Sequence, residues 1–200
     1  MSRLEFFFDC SSPWTYLAFE ALQPIAARHE VTIDWRPILV GGVFNSVNPS
    51  VYELRANPVP AKARYASKDL ADWARHLGLE IGSPSVFPVN SVKVMRGAFF
   101  AMERGRLVPY ARNVFRTYWS GLEDISNDDV IHRIVVASDL SPDRFFASIE
   151  DPAVKQRLRD NTDELVERGG FGSPTIFVDG DDMYFGNDRL PLVEAALTRR

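Results

Sequence analysis

Three short runs carry residue types whose order suits chemistry: Cys10-Ser11-Ser12-Pro13-Trp14-Thr15, Gly172-Ser173-Pro174-Thr175 and Phe185-Gly186-Asn187-Asp188-Arg189. A serine directly before a proline reads as a helix N-cap, because its hydroxyl accepts from an orphan N–H and the proline ring presets φ for the first turn. Such a helix start also offers unpaired N–H groups and about half a positive charge, which favours an anion, a thiolate among them. Ser12 holds that place. Ser11 is a second hydroxyl one residue back, without the position before proline. The plainer reading makes Ser12 a cap alone. Asn187 and Asp188 fall where a strand hands over to a helix; helix capping explains them, and an anion or ammonium site there is compatible with capping.

Other chemistries are thinly supported. Cys10 is the single cysteine, so no intramolecular disulfide can form, and its phase with Phe6 and Phe8 points to a buried, inert thiol. His29 and His76 each follow an arginine at an expected helix end, and His132 stands alone. No His, Cys and Asp spacing suggests a metal, and Asp179 to Asp182 lacks the spacing of a calcium loop. A net charge of -4 and a pI near 5.4 argue against nucleic acid or an anionic membrane as the main partner. The apolar run after Met1 is short and interrupted by Glu5, no stretch reaches the length of a membrane span, and a cytoplasmic location is expected.

The elements that must position these runs follow from periodicity. Leu4 to Cys10 alternates as a buried strand, with Leu4, Phe6, Phe8 and Cys10 on one face and Glu5, Phe7 and Asp9 on the other. Trp14, Leu17, Ala18, Ala21, Leu22 and Ile25 recur at helical spacing, with Pro24 expected to kink or shorten that helix. Val31 to Arg36 alternates again, completing a βαβ unit. Val40 to Pro60, rich in Gly, Asn, Ser and Pro, reads as a long loop. A stripe of Ala66, Leu70, Trp73 and Leu77 then marks a helix that Gly78 stops, and Ser83 to Val92 reads as a further loop. Helices are expected from about Lys93 to Arg168, with breaks near Gly105, Gly121 and Ser141-Pro142. A strand over 174–178, a turn at Asp179 to Asp182, a returning strand and a helix from Asp188 to Leu197 close the chain. A composition of 46% hydrophobic and 25% charged residues can supply the core without disulfides or metals.

The order of elements, with Ser12-Pro13-Trp14-Thr15 at the first helix and Ser173-Pro174 before the third strand, resembles the disulfide-oxidoreductase branch of the thioredoxin fold. That branch carries Cys-Pro-x-Cys, whereas Ser12 and Thr15 stand in phase here and exclude dithiol exchange. Phe8-Asp9-Cys10-Ser11-Ser12-Pro13-Trp14-Thr15-Tyr16-Leu17-Ala18, Trp35-Arg36-Pro37-Ile38-Leu39, Pro58-Val59-Pro60-Ala61-Lys62, Phe87-Pro88 and Phe185-Gly186-Asn187-Asp188-Arg189 resemble the 2-hydroxychromene-2-carboxylate isomerase and kappa-class glutathione transferase family.

The resemblance implies an α/β fold: a thioredoxin-like, DsbA-like core of residues 1–37 and 152–200, split by an all-helical insertion of residues 38–151. It implies a homodimer that binds glutathione and a small aromatic or chromene-type carboxylate. Ser12 matches the serine that supports the glutathione sulfur, Ser173 and a cis Pro174 would meet the cysteinyl segment, and Asn187 and Asp188 match the pair that holds the γ-glutamyl end. Asn57 is a further glutathione contact by resemblance. Trp14, Lys62 and Phe87 would face the substrate, with Phe44 a further apolar wall; Lys62 on a solvated helix face is the alternative. Arg36, Lys93 and Arg96 are other candidates for an anionic substrate. The implied reaction is cis–trans isomerisation by thiolate addition, bond rotation and elimination. A kappa-type transferase or peroxidase and a non-enzymatic thioredoxin-fold binding protein are the alternatives. Ser11-Ser12-Pro13-Trp14 departs from the family pattern of an apolar residue before the serine and a smaller aromatic after the proline, which bears on the substrate.

Overall fold

A computed structural model describes residues 3–199; Met1, Ser2 and Arg200 lie outside the described residues. Four strands form one mixed sheet in the order β2-β1-β3-β4. Strand β1 (Leu4–Phe8) runs parallel to β2 (Ile33–Pro37) and antiparallel to β3 (Thr175–Val178), and β3 pairs antiparallel with β4 (Asp182–Phe185). All five residues of β1 are buried, because both faces of the sheet are covered. Phe6 and Phe8 pack edge-on against Trp35 in the main core, while Phe7 meets Phe177 in a second cluster with Ile38, Val43 and Leu165. Glu5 is buried on the second face, and its charge is paired: Arg168 donates to both of its oxygens at 2.8 and 3.1 Å.

Helix α1 (Pro13–Arg28) begins as the residues direct, with Ser12 accepting from the Thr15 N–H and Pro13 in the first turn. Pro24 does not shorten it. Pro24 is exposed, so the carbonyl left without its usual donor can meet water, and the burial of Ile25 and Ala26 holds the last turn.

Residues 40–60 are not a loop. They form α2 (Val40–Val47) and α3 (Ser50–Ala56). Their helicity comes from distant partners that local propensity does not register. The Val40 N–H donates to Asp9 and the Leu39 N–H to Thr162, and Val43 is buried in the second cluster.

Helix α4 (Pro60–His76) ends before Gly78, but only Ala74 in it is buried, so the stripe of Leu70 and Trp73 is half covered. The helices α5 (Val92–Met102), α6 (Leu107–Phe115), α7 (Asp128–Ala137), α8 (Pro142–Glu150) and α9 (Pro152–Glu167) follow, with the breaks at Gly105, Gly121 and Ser141 where they were expected. A π-helical turn, Arg116–Ser120, continues α6. The β3–β4 turn has positive φ at Asp179 and Gly180, as a tight hairpin of primed type needs. A short 3-10 turn, Asn187–Arg189, leads into α10 (Leu190–Leu197).

The main hydrophobic core runs without a break from β1 and α1 into α5 to α8. The division at 37/38 and 151/152 is therefore proposed as one of chain topology, with a core shared across it. Among the described residues no helix is long and apolar enough to cross a membrane.

Candidate active site

Ser12 lies at the N-terminus of α1, facing Ser173 from the loop before β3. Its hydroxyl donates to the Ser173 carbonyl at 3.3 Å and accepts from the Thr15 N–H at 3.3 Å. Both contacts are long for bonds of a hydroxyl, so Ser12 is weakly engaged and free to turn to a better acceptor. The Ser173–Pro174 peptide is cis. Thr15, by contrast, is buried, and its hydroxyl is taken up by the Ser173 hydroxyl at 2.8 Å. The Ser173 hydroxyl also accepts from the Asp9 N–H at 3.1 Å, tying the end of β1 to the proline loop.

Asp9 is a site residue that the sequence reading passed over. It is buried, with Oδ1 accepting from the Ser11 N–H at 2.9 Å and Oδ2 from the Val40 N–H at 2.9 Å and the Ser91 hydroxyl at 3.1 Å. One carboxylate thus fixes the loop before α1, the start of α2 and the start of α5. Burial pushes its carboxyl above the ordinary range, and the donors from Ser11, Val40 and Ser91 partly oppose that rise. The Ser11 hydroxyl also faces the Asp9 carboxyl, whereas the Ser12 hydroxyl faces the proline loop. An acidic residue ending an apolar strand just before Ser11-Ser12-Pro13 was the available signal.

Cys10 is buried, and burial followed by the nearby Asp9 charge raises its thiol well above the usual range. It stays protonated and is no nucleophile at neutral pH. Its carbonyl accepts from the Trp119 indole N–H at 3.0 Å. The neighbouring Tyr118 donates to the Val86 carbonyl at 2.8 Å, and burial pushes its hydroxyl up to about 12. The π-helical turn therefore clamps both the Ser12 loop and the 83–92 loop, another contribution that local sequence does not signal. Phe87, half exposed, packs on Trp119 with ring centres 6.2 Å apart, and its bond to Pro88 is also cis.

Asn187 is buried, and its Nδ2 has no hydrogen-bond partner among the described residues. Such an orphaned donor suits an acceptor from a ligand. Its turn packs against α1. Asp188 is half exposed and pairs with Arg189 at 3.4 Å. Gly186 has φ of 102°, and a Cβ there would lie 2.7 Å from the Asp188 carboxylate, so glycine leaves that carboxylate its room.

The other expected site residues are less closely tied. Trp14 is half-buried in the first turn of α1. Phe44 borders the proline loop: a Cβ on Gly172 would lie 3.7 Å from its ring. Asn57 is exposed as the C-cap of α3, and Lys62 is exposed in α4; among the described residues no hydrogen bond or ion pair joins either to Ser12. Arg36 pairs with Glu164 and Lys93 with Asp128. Arg96 donates to the Ile149 carbonyl at 3.5 Å. Cavities of about 350 Å³ beside β2 and α9 and about 460 Å³ beside α4 include none of the Ser12 cluster in their walls. Among the described residues no group of three or more His, Cys, Asp or Glu is placed to hold a metal.

Residues 3–198 match the DSBA-like thioredoxin domain. The chain belongs to the DSBA-like thioredoxin family. Within it, the chain is 32% identical over 203 residues to 2-hydroxychromene-2-carboxylate isomerase of Pseudomonas putida, covering 98% of this chain and 94% of the relative. Human glutathione S-transferase kappa 1 is 28% identical over 205 residues, covering 95% and 88% of the two chains. A solved structure of 2-hydroxychromene-2-carboxylate isomerase superposes with a TM-score of 0.84 at 28% identity, covering 98% of this chain and 94% of that one. The likeness covers 95–98% of this chain, and these relatives are isomerases and a transferase by name.

Proposed function

We propose that this protein is a glutathione-dependent cis–trans isomerase acting on 2-hydroxychromene-2-carboxylate or a related intermediate of aromatic breakdown. The observation that carries the reading is the weakly engaged Ser12 hydroxyl at the start of α1, facing the Ser173 carbonyl before a cis proline, with no reactive cysteine beside it. The residues present fit glutathione. Asn187 offers an orphaned buried donor, and Asp188 a carboxylate for the γ-glutamyl ammonium. When bound, glutathione supplies the thiolate for reversible addition to a conjugated double bond, which makes rotation about it cheap.

The chain's own part is to bind, orient and tune. Ser12 donates to the sulfur and, with the start of α1, favours its charged form. Ser173 would offer its backbone to the tripeptide as the edge of an added strand. Asp9 holds three elements of the site in place. Trp14, Phe44 and Phe87 supply apolar surface for an aromatic ring.

The test is conversion of 2-hydroxychromene-2-carboxylate to its trans open-chain isomer by the purified protein, with and without glutathione. Absorbance change that depends on catalytic amounts of glutathione supports the proposal; none in its presence refutes it. The 28% identity to the human kappa transferase supports a second reading. Conjugation of a haloaromatic acceptor, with glutathione consumed and no isomerase activity, would select it.

A further inference from the structure

We propose that Arg55 is the anchor for the carboxylate of the aromatic co-substrate, with Phe44 and Phe87 flanking it as the ring-binding walls. The inference rests on the glutathione site described above. Arg55 lies in the last turn of α3, where a cation is favoured by the helix dipole. Its guanidinium carbon is 5.4 Å from the centre of the Phe44 ring and 5.4 Å from that of the Phe87 ring.

Each ring reaches back to the Ser12 cluster by a separate route. Phe44 borders Gly172, next to Ser173. Phe87 packs on Trp119, whose indole holds the Cys10 carbonyl two residues before Ser12. Arg55 therefore joins the two apolar walls of the site.

Comparison with Arg168 shows what is unusual. Arg168 also lies over two rings, Phe7 and Phe177, but its guanidinium is taken up by Glu5, Glu164 and the Gly180 carbonyl. Arg55 makes no ion pair among the described residues. Aromatic faces leave the in-plane N–H donors of a guanidinium open, and those donors match a carboxylate in a paired fork. A planar guanidinium held by two rings thus suits a planar aromatic acid better than the point charge of Lys62 does.

Glutathione also carries carboxylates, so the experiment separates the two sources. Calorimetry would measure chromone-2-carboxylate, its uncharged carboxamide and glutathione on wild type, Arg55→Met and Arg55→Lys, with circular dichroism to verify folding. The expected result is a loss of tenfold or more in affinity for chromone-2-carboxylate in Arg55→Met, a smaller loss in Arg55→Lys, and unchanged affinity for the carboxamide and for glutathione. Equal affinity of wild type and Arg55→Met for the carboxylate, or no binding of it by wild type, would overturn the inference. Loss of glutathione affinity in Arg55→Met would also overturn it by assigning Arg55 to the tripeptide. Failure of wild type to bind glutathione, with the carboxylate still dependent on Arg55, would sink the glutathione reading and leave the anion site standing.

Discussion

The hydroxyl of Ser12 and the carbonyl of Ser173, 161 residues apart in the chain, meet at 3.3 Å and close the gap between the start of α1 and the proline loop. The bond is long enough to be exchanged for one to a ligand sulfur. In this arrangement the hydroxyl is kept near its task and held loosely.

Replacing Ser12 by alanine is expected to raise the pKa of bound glutathione by about one unit, equivalent to about 1.4 kcal/mol, to cut turnover and to leave affinity for the tripeptide largely intact. Thiolate absorbance of the binary complex against pH reads this directly. Ser11→Ala should leave that titration in place, because the Ser11 hydroxyl, like its N–H, serves the Asp9 carboxyl. Coincident curves for wild type and Ser12→Ala would reduce Ser12 to a helix cap.

Asp9→Asn should destabilise the fold by about 1–3 kcal/mol in acid, since the hydroxyl oxygen of a protonated carboxyl can still accept from the Val40 N–H while donating to Ser91, and an amide nitrogen cannot accept. Burial raises the Asp9 pKa above 3.8, so the native state holds the proton more tightly than the unfolded chain. Its contribution is complete below the unfolded value and lost as pH rises through the folded one. The stability gap between wild type and Asp9→Asn should accordingly narrow as pH rises from about 4. Urea titrations at several pH values measure it, and a widening gap would show that hydrogen bonding outweighs burial.

Asp188→Ala is expected to weaken glutathione binding by about 1–3 kcal/mol through loss of a charge-assisted hydrogen bond. Asn187→Ala should do the same at little cost to stability of the free protein, because the amide nitrogen it removes has no partner there. Calorimetry of the two variants, paired with their melting temperatures, tests both statements. Unchanged affinity in a folded variant takes that residue out of the site.

In solution the protein is expected to be a homodimer. Sedimentation equilibrium should return about twice the 22.6 kDa chain mass, and a monomer at micromolar concentration would refute this.

Local rules made a large part of this protein legible from its residues. Alternation in Leu4 to Cys10 marked a strand with two faces, and Phe6 and Phe7 do enter different apolar clusters. Ser12-Pro13 marked a helix start because capping and a preset φ depend on neighbours only. Gly78 as a stop and the Asp179-Gly180 turn were readable for the same reason. Ser12 stands out by its place before a proline at a helix start, and Ser173 by the resemblance to the thioredoxin fold that Ser173-Pro174 carries.

What local rules cannot register is a partner far along the chain. Residues 40–60 looked like a loop because their Gly, Asn and Pro content disfavours helix, yet bonds from Val40 to Asp9 and from Leu39 to Thr162 hold α2 in place. Asp9 looked like the polar end of a strand, and only the convergence of Ser11, Val40 and Ser91 made it a junction of three elements. Arg55 had no signature at all. Its setting between Phe44 and Phe87 exists because α2, α3 and the 83–92 loop converge. Periodicity and capping are properties of adjacent residues, whereas a site is made by residues that folding brings together from across the chain.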